Sequence, residues 1–175
     1  IRDRQKDVGM VGAKLYYPDD TIQHAGVVVG LGGVAAHVLC KLPRDAEGYM
    51  GRLRCVQEIS AVTAACMMVK TSVFKAVGGF DEELKVAFND IDLCMKVRKY
   101  GVKIVFTPYA ELYHYESKSR GMEDTPEKQL RFSREVNCFR RKWERELLKG
   151  DPYYNPNLTL NNTDCSLRKQ EKNGD

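Results

Sequence analysis

The segment that most constrains the fold runs from Ser60 to Tyr100, SAVTAACMMVKTSVFKAVGGFDEELKVAFNDIDLCMKVRKY. Its first part, Ala61 to Val69, is apolar without alternation, the pattern of a strand buried on both faces. Thr71 to Val77 predicts a short helix capped by Thr71 or Ser72. Gly78 suits the left-handed position that ends it. Asp90 to Tyr100 keeps the helical period, with Ile91, Leu93, Cys94 and Val97 on one side, and Gly101 ends it. Such elements bury their apolar faces only by stacking in layers, so an α/β architecture with a mixed sheet flanked by helices is expected.

The flanks fit that scheme. Val8 to Tyr17 reads as a strand closed by the turn Pro18-Asp19-Asp20, and Ile22 to Leu31 as a second strand. Glycines at 26, 30, 32 and 33 mark a tightly turned segment, and Leu42 to Leu53 reads as a surface loop. Val102 to Phe106 predicts a strand broken by Pro108, with Ala110 to Tyr115 as another. Thr125 and Pro126 start a helix expected to reach Leu148, where Gly150 stops it. Phe132, Val136, Phe139, Trp143 and Leu147 are expected on its buried face. The polar stretch from Asp164 onward is expected to be poorly ordered, which leaves residues 1–163 as the folded unit.

At 175 residues and 43% hydrophobic content the chain suits one domain with a real core. Lys and Arg outnumber Asp and Glu by 28 to 24, a mild excess carried by Arg131 to Lys149 and Arg168 to Lys172. Solvated helix faces explain it, and no nucleic-acid partner is expected. No apolar run is long enough to span a bilayer. The opening IRDRQKDVG lacks the apolar core of a signal peptide and does not begin with Met, as in a piece of a longer protein. The six cysteines form no CxxC pair, which argues against structural zinc and for reduced thiols in a cytoplasmic protein.

Chemistry concentrates where Asp90 and Asp92 meet the loop-to-helix junction. Paired carboxylates there suit acid/base work or a divalent cation. They equally suit a helix N-terminus, Asp90 as cap and Asp92 facing the dipole. His24 reads as structural and His37 as incidental. Gly30 to Gly33 lacks the pattern of a phosphate cradle.

The run TAACMMVKTSVFKAVGGFDEELKVAFNDIDLCMKVRKYG resembles family 2 glycosyltransferases, in which an apolar strand and short helix precede Gly-Gly-Phe-Asp-Glu and an acidic segment. YAELYHYESKSRG is similar to the segment after the next strand in that family. TIQHAGVVVGLGG and GDPYYNPNLTL are similar to a bacterial branch that builds surface polysaccharides. The resemblance covers residues 8 to 168. It implies the C-terminal half of a GT-A type domain, which binds nucleotide-diphospho-sugars. It further implies inverting transfer of a hexosyl or deoxyhexosyl group to a saccharide or lipid-linked acceptor, in the cytoplasm or at the inner face of the membrane, with peripheral membrane association of the full-length protein.

Residue by residue, the resemblance makes Asp90 the catalytic base and His114 a ligand of a divalent metal, Mn²⁺ or Mg²⁺. Ser119 and Arg120, with Lys118, would grip the diphosphate. Ala64, Asp81, Glu82 and Asp92 would shape the substrate side, with Asp81 as a local turn stabiliser the equal alternative. Asn89 stands where many family members carry Glu, and Ala64 where many carry Gly, so a methyl group narrows the sugar pocket. No Asp-x-Asp motif in a strand-end setting precedes Asp90, so this part alone is expected to be inactive without a nucleotide-binding half. The competing reading is a non-catalytic saccharide-binding or interaction module of the same fold.

Overall fold

The computed structural model describes residues 7–115 and 125–169. Its organising strand is β1 (Val8–Tyr16). One edge of β1 carries β7 (Lys103–Tyr113) in parallel along its length. The other edge carries two short antiparallel strands, β6 (Met67–Val69) against Met10–Gly12 and β2 (Ile22–His24) against Leu15–Tyr16. The two-residue β5 (Gln57–Glu58) closes the far side of β7. A separate antiparallel pair is formed by β3 (Val27–Val29) and β4 (Ala35–His37). The sheet is therefore mixed, as expected, and among the described residues four α-helices complete the α/β fold: α1 (Thr71–Ala76), α2 (Asn89–Lys99), α3 (Pro126–Lys142) and α4 (Glu144–Lys149).

Several elements depart from the sequence pattern for identifiable reasons. Ile22 to Leu31 is two strands, because Gly26 at φ +106° turns the chain out of the main sheet. The run from Ala61 to Val69 is not one buried strand. Ala61 and Val62 are fully buried, Ala64–Cys66 forms a 3₁₀ turn, and β6 is an edge strand whose Met68 is 75% exposed. Gly12 makes this arrangement possible. A Cβ there would sit 2.3 Å from a Val62 methyl, so only glycine lets Ala61–Thr63 lie against β1.

Pro108 does not end a strand. Gly12 pairs with Phe106 but Lys14 pairs with Glu111, so β7 bulges over residues 107–110. Within that bulge the ladder is interrupted and a missing N–H costs no pairing bond. The long C-terminal helix breaks at Trp143 (φ −115°, ψ 23°), which seats the indole in the core. Thr125 caps α3 through Lys128 N, whereas α1 starts after Lys70 with no side-chain cap. Order also continues past residue 163: Cys165 is buried, Leu158 bridges Leu167, and Arg168 N–H donates to Asn157 O at 2.8 Å. The rest of the expected tail, from residue 170, lies outside the described residues.

The core lies where α2, α3 and the Ala61–Thr63 segment cover one face of β1 and β7, joining Met10, Ile104 and Phe106 to Leu93, Cys94, Val97 and Phe139. The opposite face near the N-terminal end of β1 is open. Val11, Val56, Met68, Val69 and Val105 line a cavity of about 970 Å³ there. All six cysteines are unpaired thiols. Among the described residues, no helix is long and apolar enough to cross a membrane.

Candidate active site

Asp90 lies in the first turn of α2, after Phe88 in the left-handed conformation (φ 62°). That conformation is costly for a bulky residue and persists only where surroundings enforce it. Here α3 supplies the enforcement. The Phe88 ring packs on Phe132 and Phe139, with centroids 5.8 and 5.4 Å away. The buried Glu135 carboxylate accepts the Val86 and Ala87 N–H groups at 3.1 and 2.9 Å. The turn carrying Asn89 and Asp90 is thus clamped from behind.

The Asp90 carboxylate accepts two backbone bonds. Oδ1 takes Ile91 N–H at 2.9 Å and Oδ2 takes Ala64 N–H at 3.0 Å. Asn89 Oδ1 takes Asp90 N–H at 2.7 Å. Asp90 therefore satisfies one first-turn amide of α2, whose cap position is Phe88, and it also ties α2 to the 3₁₀ turn at Ala64–Cys66. A carboxylate has about four acceptor directions, so each oxygen keeps one for an approaching hydroxyl. Ala64 and Ala65 are exposed beside it, and Glu82 is exposed on the loop leading to α2.

Asp92 is different from the expectation that it contacts substrate. It is fully buried. Its Oδ1 accepts Trp143 Nε1–H at 2.8 Å and pairs with Lys142 Nζ at 2.8 Å. Lys96 Nζ stands 3.4 Å from Oδ2 as an ion pair without hydrogen-bond geometry, and it donates to Gly79 O at 2.5 Å. Asp92 is a structural anchor for α3, closed to solvent and substrate. Asp81 belongs to the same anchor: it pairs with Lys142 and accepts Glu83 N–H at 3.0 Å. The Lys142 hydrogen bond, with that of Glu83, holds the Asp81 carboxyl below the usual carboxylate range.

The two other flanks of the site are histidines at the C-terminal end of β1. His114 N–H donates to Tyr16 O at 2.9 Å, while its Nδ1 is buried and finds no hydrogen-bond partner among the described residues. His24 pairs with Leu15 across the strand ladder and is fully buried. Burial, with the nearby His37 and His114, pushes its pKa well below the imidazole norm. His24 Nδ1 lies 3.2 Å from His37 Nδ1, and His24 Nε2 accepts Thr63 N–H at 3.4 Å. His37, which looked incidental in sequence, is part of this pair. Thr63 adjoins Ala64, so one short turn connects His24 to Asp90. Ser119, Arg120 and Lys118 lie outside the described residues.

An orphaned imidazole nitrogen at His114 fits a single metal ligand. It does not make a metal site. Among the described residues, no group of three or more His, Cys, Asp or Glu side chains can hold an ion.

Sequence comparison relates this chain to segments of much longer proteins. It is 60% identical over 161 residues to the uncharacterized protein y4gI of Sinorhizobium fredii, covering 91% of this chain and 18% of that protein. It is 39% identical over 173 residues to the O-antigen biosynthesis protein RfbC of Myxococcus xanthus, covering 98% of this chain and 13% of that protein. A shorter match, 36% over 62 residues, joins 35% of the chain to 20% of the N-acetylglucosaminyl-diphospho-decaprenol L-rhamnosyltransferase of Mycobacterium tuberculosis. The chain thus spans less than a fifth of the two relatives it matches along nearly its whole length. No family model and no solved structure matches it.

Proposed function

We propose that this chain is the acceptor-side, C-terminal part of a GT-A type family 2 glycosyltransferase domain. In this reading it serves inverting sugar transfer in bacterial cell-surface polysaccharide synthesis. The single observation that carries the mechanism is the half-buried Asp90 carboxylate, pinned between the start of α2 and the Ala64 amide at an exposed turn. Support for the class comes from the names of two relatives, a polysaccharide biosynthesis protein and a rhamnosyltransferase. The second name favours a deoxyhexosyl donor.

The chemistry follows from one base. Asp90 takes the proton of an acceptor hydroxyl as that oxygen attacks the anomeric carbon from the face opposite the diphosphate. The C–O bond to the diphosphate breaks, its electron pair leaves with the nucleotide diphosphate, and configuration inverts. An ordinary carboxylate is ionised at neutral pH and suffices as that base. A divalent metal, Mn²⁺ or Mg²⁺, would offset charge on the leaving diphosphate, and His114 would give it one ligand through its imidazole. Ser119 and Arg120 would bind diphosphate oxygens. Ala64 and Glu82 border the acceptor side. The nucleotide would be held by polypeptide outside this segment, a reading supported by the open apolar sheet face and the far greater length of the relatives.

Asp90→Asn in the complete transferase tests this reading. Nucleotide release from UDP-, GDP- and dTDP-sugars with Mn²⁺ is expected to fall by about 10²–10⁴, the usual effect of removing a general base, with donor affinity retained. Turnover near wild type would reduce Asp90 to a first-turn helix residue and favour a non-catalytic module.

A further inference from the structure

We propose that His24 is a positioning residue for Asp90, acting through the Thr63–Ala64 turn and never touching substrate. The inference rests on the reading of Asp90 as the base. Its own observations are geometric. His24 is fully buried, so no substrate reaches it. Its ring is fixed by β2 pairing and by the edge-on His37 ring, 4.8 Å and 75° away. The Thr63 N–H points at His24 Nε2 at 3.4 Å, and the next amide, Ala64 N–H, points at Asp90 Oδ2 at 3.0 Å. Thr63 is itself buried, so its N–H needs an acceptor to avoid a desolvation penalty. The Thr63 hydroxyl takes Ala65 N–H at 3.3 Å and closes the turn. Successive amides of one turn are thereby assigned to His24, Asp90 and Thr63.

Proton bookkeeping makes the assignment testable. A neutral imidazole has one donor and one acceptor nitrogen. If Nε2 accepts from Thr63, the proton sits on Nδ1 and is donated to His37 Nδ1 at 3.2 Å. His37 Nδ1 also lies 3.1 Å from the Gln23 carbonyl, which can only accept, so a proton on His37 Nδ1 would be donated there and would move the His24 proton to Nε2. The proposal requires that the proton between the two Nδ1 atoms belongs to His24, with the Gln23 carbonyl served by the Cys40 thiol at 3.3 Å. A hydrophobic side chain of equal volume would fill the space and leave the Thr63 amide free to rotate, carrying Ala64 away from Asp90.

The test needs no turnover. In ¹⁵N-labelled chain, long-range proton–nitrogen spectra are expected to place the His24 proton on Nδ1; a proton on Nε2 overturns the proposal without any variant. His24→Leu is expected to speed hydrogen exchange at Ala64 by on the order of tenfold, the loss of about one net hydrogen bond, and to shift the Asp90 carboxyl ¹³C resonance. His24→Gln, which can still accept, is expected to keep both near wild type. A folded His24→Leu with unchanged Ala64 exchange and Asp90 resonance makes His24 a space-filler and sinks the idea. In the complete transferase, His24→Leu is expected to lower kcat and spare the donor KM. Normal turnover of Asp90→Asn would remove the catalytic reading while leaving the exchange and tautomer results standing, so the two failures are separable.

Discussion

Two carboxylates two positions apart on a helix start face different ways. Asp90 opens toward Ala64, and Asp92 turns inward to Lys142 and Trp143. The inward one is a buried charge that survives only because cations and a donor surround it. Lys142→Met should therefore be costly. It leaves Asp92 fully buried with Lys96 at 3.4 Å as its remaining cation, and the loss is expected to be about 3 kcal/mol, the low end for breaking a buried pair because Lys142 is partly exposed. Urea unfolding measures it; a loss below about 0.5 kcal/mol, the scale of surface changes, would mean that Asp92 is solvated. Asp81 shares the same lysine, and its depressed pKa has a defined pH signature. The carboxyl sits below its unfolded value of 3.8 in the folded state, chiefly through the Lys142 hydrogen bond. Its contribution is thus complete above pH 3.8 and disappears as pH falls through the lower folded value. The gap in unfolding midpoint between wild type and Asp81→Asn is expected to be constant at neutral pH and to close in strong acid. A gap that stays open there would place the Asp81 contribution elsewhere.

At the scale of elements, α3 holds the site although none of its side chains enters it. Glu135 falls on the buried stripe with Phe139 and Trp143, and an acid in such a stripe is a readable sign of a buried acceptor. Its two partners, the Val86 and Ala87 amides, belong to the loop that forces Phe88 into the left-handed region. Glu135→Ala orphans both amides, at about 1–3 kcal/mol for each that stays buried. Glu135→Gln, keeping one carbonyl oxygen, is expected to lose roughly half as much. Hydrogen exchange at Val86 and Ala87 reads this directly, and protection unchanged in Glu135→Ala would discard the clamp. Local signals made much of this legible. The Thr125 cap, the Gly78 and Gly150 stops and the period of α2 are all where the sequence places them. The misses share one cause. Ala61 to Val69 looked like one strand because apolar runs do not reveal where the chain must bend around Val62 and Gly12. The α3–α4 break falls at Trp143, whose indole bonds Asp92 fifty-one positions away, a contact no window of sequence contains. The His24–His37 pair was hidden in the same way, since two separate small strands bring the rings together.

At the scale of the whole molecule, one side is finished and the other is open. The face with α2 and α3 carries the packed core, whereas Val11, Val56, Met68, Val69 and Val105 surround an apolar hollow of about 970 Å³. Among the described residues, β6 pairs with β1 alone, so its outer edge presents free N–H and C=O groups beside that hollow. An unprotected edge next to exposed apolar surface is a recognised route to self-association. Met68 is the pivotal residue, because it is 75% exposed at the middle of β6 and contributes little to the core. Met68→Lys puts a strongly hydrated charge on that edge. Folding stability is expected to stay within about 0.5 kcal/mol, as for surface substitutions generally. Light scattering of the 175-residue chain is expected to show less association than wild type at equal concentration. Equal association in the two proteins would show that contacts are made elsewhere. A large fall in stability would instead mean that Met68 is buried in solution by something that covers this face, and the open side would then be an occupied one.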